Sequence, residues 1–112
     1  SDKEAFYFYE TIGKPTGESA RSLPEFLEKI KSVKLERLLF HFQRKDFQNW
    51  ISKILGDSKL SRKIGNIPPT CNEELRTKIQ EAVEGRIKEL GEAPLTFLVS
   101  EDLAVISTSS KP

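Results

Sequence analysis

Apolar residues recur along this chain in two rhythms, and the change between them divides it into blocks. Residues 4–10 (Glu-Ala-Phe-Tyr-Phe-Tyr-Glu) are aromatic without helical spacing. Their alternation predicts a strand with Phe6 and Phe8 on one face and Tyr7 and Tyr9 on the other. Residues 11–21 hold Gly13, Pro15 and Gly17 among Thr and Ser and read as a loop. From Leu23 the period lengthens: Leu23, Phe26, Leu27, Ile30 and Val33 recur at three and four residues, one apolar stripe of a helix. Ser22 with Glu25 forms a capping-box pattern at its start, and Pro24 suits the first turn, where its missing donor has no helical acceptor.

Residues 34–43 fit two readings. Leu35, Leu38, Leu39 and Phe42 keep helical spacing, while Leu38 to Phe42 is also apolar enough for a buried strand. The length between turn signals favours a helix, with Ser32 available as its N-cap. Asp46 is placed to cap the next helix, whose stripe is Phe47, Trp50, Ile51, Ile54 and Leu55 and whose stop is Gly56. Asp57 or Ser58 caps a short helix burying Leu60 and Ile64. After Pro68-Pro69, Asn72 opens the longest helix, with Glu73 and Glu74 at its positive end and Gly91 as its stop. Gly85 within it either costs helix stability or marks a close helix contact. Leu95–Ser100 and Leu103–Thr108 then read as a β-hairpin.

Helices and strands thus fall in separate blocks, which is the logic of an α+β domain. The expected architecture is four or five helices packed on a small antiparallel sheet made of the N-terminal strand and the C-terminal hairpin.

Composition sharpens this picture. At 112 residues, with 37% apolar and 31% charged positions, the chain suits a single globular domain. No apolar run reaches the roughly 20 residues of a membrane span, so no membrane partner is expected. The single cysteine, Cys71, forms no intrachain disulfide and points toward a reducing, cytoplasmic setting. Net charge is only +1, yet it is unevenly placed. The stretch Lys29–Lys63 holds ten of the 18 basic residues and only three of the 17 acidic ones.

Candidate chemistry is sparse. His41 is the only histidine and has no Cys or carboxylate partners at metal-ligand spacing. Cys71 precedes a helix start, where the dipole favours a thiolate, but no nucleophile motif surrounds it. Trp50 and Phe47 lie on a core-facing stripe, whereas Tyr7 and Tyr9 are free to face solvent and stack on a ligand. The Gly56 turn between two helices suggests a helix-turn-helix, but the apolar positions Leu60 and Ile64 fall out of phase with a recognition helix. No catalytic residue, metal or cofactor is therefore expected. The candidate binding residues are His41, Arg44, Lys45, Lys53, Arg62 and Lys63. The bland alternative for the basic ones is pairing with the acidic long helix at Glu73, Glu74, Glu81, Glu84 and Glu89.

Phe40-His41-Phe42, Asp46-Phe47-Gln48-Asn49-Trp50-Ile51 and Leu55-Gly56-Asp57, with Thr16-Gly17-Glu18-Ser19-Ala20 upstream, resemble an uncharacterised family of small, largely archaeal prokaryotic domains. The likeness covers about residues 6–67, with weaker similarity through the long helix from Asn72, and implies a cytoplasmic domain without an assigned activity. The leading expectation is a non-enzymatic interaction or regulatory module acting on a protein partner or by self-association. Nucleic-acid binding through residues 29–63 is the alternative. A small hydrolase or transferase using His41 with Asp46 or Cys71 is a third.

Overall fold

A computed structural model describes residues 4–91. They form a β-hairpin followed by five helices: β1 (Phe6–Thr11), β2 (Lys14–Ala20), α1 (Leu23–Ser32), α2 (Leu35–Gln43), α3 (Asp46–Lys53), α4 (Ser58–Gly65) and α5 (Glu73–Leu90). The α+β class and the N-terminal strand are as the sequence indicates. The predicted hairpin at 95–108 lies outside the described residues.

The sheet within those residues corrects one expectation: 11–21 is not a loop but mostly a second strand. β1 and β2 pair antiparallel, Phe6 against Ala20, Tyr7 against Ser19, Tyr9 against Pro15 and Thr11 against Lys14, with register shifts on either side of Tyr9. Gly17 (φ 92°) sits near the first irregularity, and Gly13 (φ 79°) completes the tight turn after Ile12. Pro15 is tolerated because its strand is an edge, where a missing donor breaks no ladder. Thr16 repairs the disturbed pairing: its hydroxyl donates to the Phe8 carbonyl and accepts from the Glu18 N–H, both at 3.0 Å.

Helix starts follow the capping chemistry except in two places. Ser22 Oγ accepts from the Glu25 N–H at 3.3 Å, and Glu25 reaches back to the N–H of Arg21 rather than Ser22. Asp57 and Asn72 cap α4 and α5 by accepting from the Leu60 and Glu74 N–H groups. Ser32, the expected cap of α2, is instead the last residue of α1, and the N-cap is Lys34, whose side chain makes no capping bond. Asp46 is not the cap of α3 but its first residue; Lys45 holds the cap position in the left-handed conformation. α3 ends at Lys53, one residue before Ile54, which is consequently half-exposed rather than part of the buried stripe.

Phe6 and Phe8 project from β1 onto the helices and join Phe26, Phe47 and Trp50 in one aromatic core. Phe6 is its hub, with ring centroids 4.8 Å from Phe8, 5.3 Å from Phe47 and 5.7 Å from Trp50. β1 packs on α2 and β2 on α1; α5 lies across α1 and α4. No helix among the described residues is long and apolar enough to cross a membrane.

Candidate functional site

The corner where α2 turns into α3 faces β1, and between them lies a groove of about 500 Å³. Tyr7 and Tyr9 come to it from β1, and Ile12 with Gly13 from the hairpin turn. Phe40, His41 and Arg44 line it from the end of α2, and Asp46 and Trp50 from α3. Tyr7 and Tyr9 alternate along β1 with the buried Phe6 and Phe8, and Ala5 and Phe6 line the groove as well. Tyr7 is 43% and Ile12 75% exposed, so the rim presents apolar surface to solvent.

The left-handed turn at Lys45 (φ 65°) builds the site. It folds α3 back on α2, so that Asp46 meets His41 five residues earlier. Asp46 Oδ2 lies 2.8 Å from His41 Nδ1 and accepts from Arg44 Nε at 3.1 Å. The other imidazole nitrogen, Nε2, accepts the Tyr9 backbone N–H at 2.8 Å. That bond requires an unprotonated Nε2, so the ring proton resides on Nδ1 and is donated to Asp46. His41 is 2% exposed and is surrounded by the rings of Phe6, Phe8, Tyr9, Phe40 and Phe47. Burial pushes its pKa below the ordinary value and Arg44 adds to that, outweighing the opposite pull of Asp46.

Chemically, His41 is a fastener. Both ring nitrogens are engaged, one in tying β1 to α2 and the other in tying α2 to α3, so neither holds a free lone pair for a substrate proton. The hydrolase reading thus finds His41 and Asp46 together, as it requires, but without the free base it also requires. Cys71 is exposed and does not line the groove, and the commitments of His41 leave no Cys–His pair. Among the described residues no group of three or more His, Cys, Asp or Glu side chains is placed to hold a metal ion.

Arg44 completes the lip. Its guanidinium stands 5.3 Å from the centroid of the Phe40 ring, within cation–π range. Lys45 adjoins it in the turn. Lys53 lies in the last turn of α3, and neither it nor Lys45 lines the groove. Arg62 and Lys63 lie elsewhere, on α4, and do not line the groove. Neutralisation of the basic segment by α5 is realised at Lys59, whose Nζ is 3.4 Å from Glu89; Lys63 also contributes to lowering the Glu89 pKa. Lys45, Lys53, Arg62 and Lys63 make no ion pair with the described residues.

Sequence reasoning reached His41, Arg44, Tyr7 and Tyr9, but missed Ile12, Phe40 and the second role of Trp50. Trp50 is core, as its stripe indicates, yet one edge of it also lines the groove. Ile12 carries no periodic signal, because its exposure follows from a turn that only the strand pairing defines.

A two-stranded hairpin backed by helices, with an aromatic groove at one corner and its histidine locked, defines a small α+β domain. The chain belongs to a family of unknown function, DUF5752, whose model matches residues 3–108. That span takes in the motif resemblance at 6–67 and the weaker likeness through the helix from Asn72, and extends past both. No curated protein and no solved structure matches the chain.

Proposed function

We propose that this domain is a non-enzymatic interaction module that docks a segment of a partner protein in the groove between β1 and the α2–α3 corner. The observation that carries this reading is an aromatic, solvent-open groove whose only histidine has both nitrogens occupied. Such a site offers apolar anchoring area and orienting polar groups but no free general base. The guanidinium of Arg44 in the groove wall, with Lys45 next to it in the chain, favours an acidic partner segment. The motif resemblance and the lone cysteine support a cytoplasmic, archaeal or related prokaryotic setting for this module.

Peptide-display selection against the full chain, followed by calorimetric titration of the selected peptides, tests the reading. The expected result is a consensus with one aromatic or branched apolar residue and neighbouring acids. Affinity should fall at least about tenfold in a Tyr7→Ser/Ile12→Ser double variant. Selected peptides that bind this variant as well as the parent would overturn the proposal. Concentration-dependent dimerisation abolished by the same substitutions would instead assign the groove to a second copy of the chain.

A second reading, nucleic-acid binding, is favoured by the cations at Lys45, Lys53, Arg62 and Lys63 that lack ion-pair partners among the described residues. Its signature is an affinity for single-stranded oligonucleotides that falls steeply with salt and is weakened by replacing Arg44, Lys45 and Lys53. Absence of binding at low salt removes it.

A further inference from the structure

Arg44 is restrained on two sides and open on a third. Its Nε is bound to Asp46 and its guanidinium lies against Phe40, yet the side chain is 51% exposed. Its terminal nitrogens make no hydrogen bond to the described residues. An arginine in this state has already lost much of the rotamer freedom that binding would otherwise cost. Its remaining N–H edge has the fork geometry that matches a carboxylate.

Charge around the lip points the same way. Asp46 shares one oxygen between His41 and Arg44, so its charge is already answered by the guanidinium it orients. Glu10, further along β1, is held by Arg37 at 3.2 Å. Arg44 is thus the cation that lines the groove, and a single guanidinium edge suits one oxyanion rather than a dense polyanion. The Phe40 ring lies against this guanidinium, and the exposed Tyr7 lines the same groove.

Resting on the docking role above, we infer that the groove is a receptor for an amphipathic anion. Its aromatic wall takes the ring or branched side chain of a partner peptide, and the open edge of Arg44 takes a carboxylate carried by the same or the adjacent residue. Asp46 acts as a positioning residue, holding the guanidinium while His41 holds Asp46.

The test uses the ¹⁵N-labelled 112-residue chain and two probes of the same shape, N-acetyltryptophan and its uncharged amide. Shifts are followed at the Tyr7, Tyr9 and Ile12 amides and at the Arg44 Nε–H. Both probes are expected to perturb the groove, the acid binding roughly five- to tenfold more tightly. Arg44→Gln should erase that difference, so that acid and amide bind with equal affinity. Arg44→Lys, which keeps the charge without the fork, should recover only part of it. Equal affinity of acid and amide would overturn the carboxylate assignment while the groove itself stands. No perturbation of the groove by either probe would overturn the docking reading as well. Phenyl phosphate binding at least about tenfold more tightly than N-acetyltryptophan would overturn the assignment in favour of a phosphoryl ligand. An oligouridylate that displaces the acid at low salt would overturn it in favour of nucleic acid.

Discussion

Lys45 keeps a φ of 65° where glycine would be unstrained, a conformation that costs an L-residue roughly 1 kcal/mol. Lys45→Gly should therefore stabilise the fold by about 0.5 kcal/mol in urea unfolding, the relief being partly offset by the freer unfolded chain. If the lip acts as described, the same change weakens capture of acidic peptides. Gly85 is the opposite case. Its backbone is helical and an added Cβ would meet nothing within 4 Å, which removes the close-contact explanation for a glycine there. Gly85→Ala should raise stability by about 1 kcal/mol, measured the same way. Both residues show what single-position reading can and cannot see. Gly85 announced its cost, whereas nothing in Arg44-Lys45-Asp46 says that a lysine takes the left-handed position. Asp46 looks like a cap because Asp usually is one. It is drawn away from that role by an imidazole that only the turn brings within reach.

Among the elements, α4 depends most on one side chain. Asp57 caps it through Oδ1 and receives Arg86 of α5 on Oδ2 at 2.8 Å, so one carboxylate joins two helices. Burial alone would raise its pKa, but the Arg86 and Leu60 hydrogen bonds win and hold it below the ordinary 3.8. Asp57→Ala should cost about 2 kcal/mol, and Asp57→Asn about half of that because the cap survives. Since the folded carboxyl is the stronger acid, its contribution is complete above pH 3.8 and is lost as pH falls below that value. The Asp57→Ala chain should consequently show a shallower stability loss below about pH 4 than its parent. Helix stops and caps of this kind were legible in the sequence at Ser22, Gly56, Asp57, Asn72 and Gly91. β2 was not, because Pro15 and Gly17 argue against a strand unless bulges and an edge position absorb them.

At the scale of the molecule, the histidine clamp makes the join between sheet and helices sensitive to protons. His41 is the only histidine, and its folded pKa lies below the ordinary 6.5. The unfolded chain therefore gains a proton near pH 6.5 that the folded chain refuses. Stability is fully present above that pH and declines as pH drops from it toward the folded value. A His41→Gln variant, less stable at neutral pH, should show no such decline between pH 7 and about pH 5.5 in chemical denaturation. The groove was only half legible in advance, since its members are distant in sequence and share no period. Its placement beside Trp50 has an optical consequence. Trp50 is the only tryptophan, buried, with its indole N–H bound to the Glu4 carbonyl at 2.8 Å. Its emission should be blue-shifted in the folded chain and should respond to anything that enters the groove, with no label attached. Tyr7 and Tyr9 line the same groove as Trp50, so tyrosine-to-tryptophan energy transfer offers a second label-free readout of the proposed docking.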